Sequence, residues 1–198
     1  LIILGEICVK HGVIVVSDEI HQDFAFKGRH HVFAGLRKEF EQISITCTAP
    51  SKTFNLAGML ISNIFIPDGR LKHRFRKQLD AAGISQLSTL GLTACEAAYT
   101  YGNEWYEAMK SYVSENIEFI RRYTDENLPG VRMTEHEGTY LVWLDFRDTG
   151  LSTDELEDLI INRCRLWLDS GKIFGKCGYG FQRINAACPR AVLEEALG

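Results

Sequence analysis

Ala49-Pro50-Ser51-Lys52-Thr53-Phe54-Asn55-Leu56-Ala57-Gly58 decides how this chain is read. It holds a lysine just after a short Ser/Pro turn, and the run before it, Ile43-Ser44-Ile45-Thr46-Cys47, reads as a short strand. Further upstream, Val13-Ile14-Val15-Val16-Ser17 is an apolar run that suits a parallel strand covered on both faces, and it delivers Asp18 at its end. Leu60 to Ile66 reads as a third strand. Between them lie helical patterns. Residues 1–11 carry Leu1, Leu4, Cys8 and His11 at helical spacing ahead of Gly12, and residues 33–42 also look helical. Short strands alternating with helices predict an α/β layered fold, in which ligands gather at the carboxyl ends of the strands. Asp18 and Lys52 are both expected just beyond strand ends.

The pattern changes from Asn103. Trp105, Met109, Tyr112, Val113, Ile117, Ile120 and Tyr123 form one apolar stripe of a long helix that stops before Pro129-Gly130. Tyr140 to Phe146 reads as a strand. Ser152-Thr153-Asp154-Glu155 is a capping box, with Leu151 and Leu156 placed as a hydrophobic staple, and the helix it starts carries Leu156, Leu159, Ile160 and Cys164. No repeat, low-complexity tract or linker is visible.

Composition sets outer bounds. The net charge of −4 gives no global field favouring nucleic acid or an anionic membrane, so neither is expected as a partner. The basic run from Arg70 to Lys77 reads as a solvated helix face. Six cysteines (Cys8, Cys47, Cys95, Cys164, Cys177 and Cys188) are scattered, with no CxxC pair, so no metal site is expected. With no signal peptide and no long apolar stretch, the cysteines read as reduced thiols of a cytoplasmic protein. Cys177 and Cys188 are expected to pack rather than react.

Four motifs occur in order: Ser17-Asp18-Glu19-Ile20-His21-Gln22-Asp23, Ala49 to Gly58, Gly138-Thr139-Tyr140-Leu141-Val142-Trp143-Leu144-Asp145, and Gly180-Phe181-Gln182-Arg183-Ile184-Asn185-Ala186-Ala187-Cys188-Pro189-Arg190. Together they resemble the C-terminal half of a fold-type-I pyridoxal phosphate (PLP) enzyme of the aspartate aminotransferase superfamily, and within it the cystathionine β-lyase / C–S lyase group. The resemblance implies residues 1–100 as part of a large, mostly parallel PLP-binding domain. It implies residues 101–198 as an interdomain helix and a small α+β C-terminal domain. Family members are considerably longer. They carry upstream a glycine-containing phosphate loop, an aromatic that stacks on the PLP ring and an Asn at its O3′, so this chain is expected to be a fragment, and by itself inactive.

The implied roles follow residue by residue. Lys52 would hold PLP covalently through its amine and, once displaced, move the substrate Cα proton. Read alone, such a lysine is a solvated turn residue. Asp18 would face the ring nitrogen and keep it protonated, which would also resolve the cost of a carboxylate stranded after a buried strand. His21 would contact the PLP phenolic oxygen, where aminotransferases of this fold have Tyr; the alternative is a surface histidine beside His30 and His31. Ser51 would donate to the phosphate. The sequence departs from many aminotransferases here, with Ala49 and Leu60 where they have a phosphate-binding Ser and Arg. Arg183 would pair bidentately with the substrate α-carboxylate, with Asn185 orienting it. Tyr140 either walls the substrate pocket or belongs to the core, and Arg190 is expected to be structural. The implied activity is β-elimination from an S-substituted cysteine, an amino-acid substrate, in a homodimer. An aminotransferase on the same scaffold, and a non-catalytic effector-sensing domain of a regulator, stand as the alternatives.

Overall fold

The computed structural model describes residues 1–84 and 86–198, which divide into two compact units, Leu1–Glu107 and Ala108–Gly198. The first unit holds a three-stranded sheet in the order β1-β2-β3. Strand β1 (Val15–Asp18) runs parallel to β2 (Ser44–Thr48), and β3 (Asn63–Phe65) runs antiparallel to β2.

Helix α1 (Ile2–His11) ends at Gly12, whose left-handed backbone (φ 62°) lets its N–H reach the Cys8 and Val9 carbonyls. Val13 N–H is still tied to Cys8 O at 2.9 Å, so the strand starts at Val15 and not at Val13. Asp18 is thus the last strand residue, not the first beyond it. The expected cover on both faces is not found within this chain, because Val13, Ile14 and Val16 are exposed. The helix expected over 33–42 is two pieces, a 3-10 turn at Phe33–Gly35 and α2 (Lys38–Glu41), broken where Arg37 is extended (φ −152°, ψ 154°). Phe33 and Phe40 still meet, stacked with centroids 5.2 Å apart. Phe40 is 0% exposed and lies on Gly5, where any β-carbon would overlap its ring.

The third strand is shorter than Leu60 to Ile66. A 3-10 turn at Ala57–Met59 closes on Leu60, itself left-handed (φ 51°) and 89% exposed, and this reversal brings β3 back antiparallel to β2. The expected mostly parallel arrangement therefore holds for one of these two strand pairs. After β3, Asp68 caps α4 (Gly69–Ala81) by accepting from Leu71 N–H at 2.7 Å, and this helix, which carries the basic run, buries none of its residues. Helix α5 (Thr89–Tyr101) completes the unit, capped by Ser88.

Helix α6 (Asn103–Asn127) is the predicted long helix; within the second unit it buries Val113, Asn116, Ile117, Ile120 and Thr124, while Trp105 and Tyr112 of the expected stripe are exposed. The unit's sheet has the order β4-β5-β7-β6, formed by β4 (Arg132–Met133), β5 (Leu141–Asp145), β6 (Asp169–Ser170) and β7 (Phe181–Asn185), all antiparallel. Burial alternates strictly along β5 and β7, with Val142, Leu144, Gln182 and Ile184 inward. Tyr140 lies in a bend before β5, yet its carbonyl still accepts from Ala186 N–H at 2.8 Å. The capping box is present: Ser152 Oγ accepts from Glu155 N–H and Ser152 N–H donates to Glu155 at 2.9 Å. Helix α7 (Thr153–Asp158) buries Leu156 but leaves Leu151 exposed, and it passes into a π-helical turn at Leu159–Arg163, so Cys164 falls beyond it and is exposed. Helix α8 (Arg190–Leu197) closes the chain.

Buried Asn116 organises this end. Its amide donates to Ala186 O at 2.9 Å and Cys188 O at 2.8 Å, and its oxygen accepts from Arg190 Nε at 2.9 Å. The Arg190 guanidinium also lies 4.5 Å over Phe119, so this arginine has the structural role expected of it. Cys177 is exposed and does not pack as expected; Cys188 is half-buried, with burial pushing its thiol pKa up. Among the described residues no helix is long and apolar enough to cross a membrane.

Candidate active site

The first unit gathers four of the sequence-selected residues. Asp18 pairs in register with Cys47, and Glu19 N–H donates to Cys47 O at 2.9 Å, extending the contact one residue past β1. Helix α3 (Pro50–Thr53) begins two residues after β2 ends, with Pro50 in its first turn. Lys52 and Ser51 ride on this single turn. The amine and the Asp18 carboxylate therefore both emerge at the carboxyl ends of adjacent parallel strands, and both residues are exposed.

The cost expected of Asp18 does not arise in this chain. Asp18 is exposed and accepts from Ile20 N–H at 3.3 Å. The buried carboxylate is its neighbour Glu19, 4% exposed, which accepts from Ser17 Oγ (2.9 Å) and Phe33 N–H (3.1 Å) and pairs with His30 Nε2 (2.8 Å). These contacts reach across the loop between Ser17 and Phe33 and hold it at both ends. His21 opens the 3-10 turn Gln22–Phe24 inside that loop. The negative charge of Asp18 is felt by Cys47, whose thiol is pushed up by burial first and by Asp18 second.

Asp23 carries a role that the sequence reading missed. Its carboxylate accepts from buried Thr53 Oγ1 at 2.6 Å, and its carbonyl accepts from Tyr106 Oη at 2.7 Å. The residue after Lys52 is thereby tied to the loop after Asp18. Thirty positions separate Asp23 and Thr53, so no local pattern signals the pair. Behind α3, Phe54 meets Tyr99 (5.5 Å), Trp105 (6.0 Å) and Tyr106 (6.4 Å), an aromatic wall that backs the lysine turn. Gly102 permits this, because a β-carbon there would collide with Phe54. Burial pushes the Tyr99 phenol up, with Asp23 adding to it. Asn55, three residues after Lys52, takes a left-handed φ of 54°, a conformation Asn tolerates better than most residues. A cavity of about 590 Å³ opens next to the loop, lined by Glu19, Gln22, Thr46, Thr48, Phe65 and Tyr99 among others; neither Lys52 nor Asp18 lines it.

An amine and a carboxylate on neighbouring strand ends, with a hydroxyl one residue from the amine, is a donor set that fits PLP: a nucleophile for its aldehyde, an anion for its ring nitrogen and a donor for its phosphate. Leu60, at the position discussed above for a phosphate-binding arginine, offers no donor.

The second unit holds the other three. Arg183 lies in mid-strand on β7, opposite Trp143 on β5 and Asp169 on β6. Its guanidinium donates through Nε (3.1 Å) and Nη2 (2.6 Å) to one oxygen of Asp169 and lies 4.8 Å from the Phe174 ring centroid. Tyr140 is half-buried; burial raises its phenol while the Arg183 charge lowers it, which marks the two as electrostatic neighbours. Asn185, expected to orient Arg183, lies two residues on at the end of β7. Its Oδ1 accepts from Ala187 N–H at 2.8 Å, and the residue that grips the arginine is Asp169.

A model of the aminotransferase class I and II family matches residues 2–198. Over 198 residues the chain is 41% identical to cystathionine beta-lyase PatB of Bacillus subtilis strain 168, covering 100% of this chain and 51% of that protein. A PLP-bound protein of Clostridium difficile 630, assigned as an aminotransferase, superposes with a TM-score of 0.95 at 43% identity, over 98% of this chain and 50% of its own. Cystalysin of Treponema denticola, whose crystal contains a pyridoxal 5′-phosphate cofactor, superposes with a TM-score of 0.94 at 36% identity, over 98% and 50%. The chain spans about half the length of each of these relatives. With a match over nearly its whole length, the chain belongs to the aminotransferase class I and II family.

Proposed function

We propose that this protein is a PLP-dependent C–S β-lyase. It acts on cystathionine or a related S-substituted cysteine to release a thiol, pyruvate and ammonia, and works as a cytoplasmic homodimer. The observation that carries the reading is the end-to-end similarity to a cystathionine beta-lyase, over the same residues that bring Lys52 and Asp18 to adjacent strand ends.

When bound, the cofactor supplies an electron sink for charge at the substrate Cα. The remaining work belongs to side chains of this chain. Lys52 Nζ would hold the cofactor, and the same amine is the base that would take the substrate Cα proton. Its place on a four-residue helix, braced by Thr53 and Asp23, fixes where that amine can reach. Asp18 would face the ring nitrogen and supply the carboxylate that favours its protonated form, a contact worth more as charge develops. His21 would contact the phenolic oxygen, and Ser51 Oγ would donate to the phosphate. Arg183 pairs with the substrate α-carboxylate, Asn185 offers its amide Nδ2 beside it, and Tyr140 walls the substrate.

An aminotransferase is the second reading, favoured by the 43% identity to the Clostridium difficile protein. One experiment separates the two. The holoenzyme is incubated with L-cystathionine, and in parallel with an amino acid and a keto acid. Pyruvate and free thiol from the first mixture are expected. Amino-group exchange in the second, with no pyruvate from cystathionine, would make it an aminotransferase. Borohydride reduction followed by peptide mapping is expected to place the cofactor on Lys52, and a label on another lysine would overturn that assignment.

A further inference from the structure

The Arg183 guanidinium is confined on several sides. Asp169, directly across the ladder, accepts from Nε and Nη2 and so occupies the side of the guanidinium. Phe174 lies against it at 4.8 Å and is itself braced edge-on by Trp143, with centroids 5.1 Å apart. Trp143 is the cross-strand neighbour of Arg183 on the other flank. The segment that delivers Phe174 is pinned by its backbone. Gly171 and Gly178 approach so closely that a β-carbon on either would overlap the other's carbonyl oxygen. Among the described residues Arg183 Nη1 donates to none, so the end of the guanidinium, Nη1 with Nη2, remains the open fork.

We propose that Asp169 is the positioning residue for Arg183: by engaging the side of the guanidinium it turns the Nη1–Nη2 fork toward the substrate carboxylate. The proposal rests on the substrate role given to Arg183 above. A planar guanidinium has two bidentate edges, and an arginine free to rotate would present either one. With one edge held, the substrate meets a single geometry. Asp169 also places a carboxylate beside the incoming one, so the pair accepts a single carboxylate and resists a net negative charge on the substrate side chain. Neutral or cationic S-substituted cysteines, and cystathionine, whose distal carboxylate is balanced by its own ammonium, are favoured over amino acids with an anionic side chain such as L-aspartate.

The holoenzyme and its Asp169→Asn, Asp169→Glu and Arg183→Lys variants provide the test. Three measurements are made: KM and kcat for L-cystathionine, binding of an α-methylated S-alkyl cysteine followed by cofactor absorbance, and hydrogen exchange of the Arg183 Nε–H by NMR. The α-methylated probe has no Cα hydrogen to lose, so it reports binding alone. Asp169→Asn is expected to raise KM and the probe Kd about tenfold, the size of one charge-assisted contact, with kcat changed less than about twofold. Nε–H exchange should accelerate, and relative turnover of L-aspartate against a neutral amino acid should rise. Asp169→Glu should recover part of the loss. If Arg183→Lys weakens the probe while Asp169→Asn leaves KM, probe binding and Nε–H exchange unchanged, the positioning role is overturned and the arginine assignment stands. If neither variant alters probe binding, both fall.

Discussion

The two units treat their apolar surface differently. In the second, a four-stranded antiparallel sheet alternates cleanly, and Val142, Leu144 and Ile184 on its strands are buried, as are Leu156, Leu193 and Ile120 on the helices. In the first, one short parallel pair and one short antiparallel strand leave Val13, Ile14, Val16, Ile64 and Phe65 exposed. Well buried there are Phe24, Phe33, Phe40, Glu19 and Thr53. The unit that holds Lys52 and Asp18 spends its packing on holding two loops, whereas the unit that holds Arg183 builds a four-stranded sheet and positions that side chain by register. Chemistry in the first unit should therefore fail through loss of single groups, and stability in the second through loss of packing or hydrogen bonds.

The largest effect expected on that view is Lys52→Ala. The exposed amine contributes little to folding, so turnover should fall by upwards of about 10⁴-fold with the melting temperature nearly unchanged. Asp18→Ala should likewise cost far more in kcat than in stability. Equal losses in both would break the comparison.

Next comes packing. Phe40→Ala removes a fully buried ring stacked on Phe33 and should cost about 3–5 kcal/mol in denaturant unfolding. A cost below about 1 kcal/mol would show that the first unit has no organised core. In the second unit, Asn116→Ala leaves the Ala186 and Cys188 carbonyls and Arg190 Nε without the partner they have now, and should cost about 2–3 kcal/mol.

Smaller still is Ser152→Ala, which removes the capping box of α7 for about 1 kcal/mol. The smallest effect is a pH dependence. Hydrogen bonding to Arg147 holds the Asp145 carboxyl below its usual range. Because its folded pKa is lowered, its contribution is present above the ordinary carboxylate pKa and is lost as pH falls through the folded value. Asp145→Asn should therefore flatten the acid limb of a stability-against-pH curve below about pH 4 and leave neutral stability little changed.

What the sequence disclosed and what it hid divide along distance in the chain. The Ser152–Glu155 box and the length of α6 are local patterns and are found as read, whereas of the α6 stripe Val113, Ile117 and Ile120 are buried and Trp105 and Tyr112 are exposed. Strand ends were harder. Val13 looks like a strand residue, but its N–H is taken by the end of α1. Leu60 also looks like one, yet a left-handed turn places it outside β3. Residues 33–42 look like one helix in the sequence, yet Phe33 and Phe40 meet across a break in it. Motif reading singles out Asp18, Lys52 and Arg183 as candidates. It did not find the side chains that brace them, because Glu19 with His30, Asp23 with Thr53, and Asp169 with Arg183 are partners 11 to 30 positions apart, joined only by the fold.

The distribution of thiols has a practical consequence. Cys164 and Cys177 are the exposed cysteines, and both belong to the second unit. Cys8 is buried, Cys47 and Cys95 are half-buried in the first unit, and burial keeps the Cys47 and Cys188 thiols protonated to higher pH than an ordinary cysteine. Alkylating reagents attack the thiolate. A maleimide dye at neutral pH should therefore mark the arginine-bearing unit first and leave the lysine-bearing unit dark. That gives a ready-made optical reporter for one half of the chemistry, with no cysteine having to be engineered in.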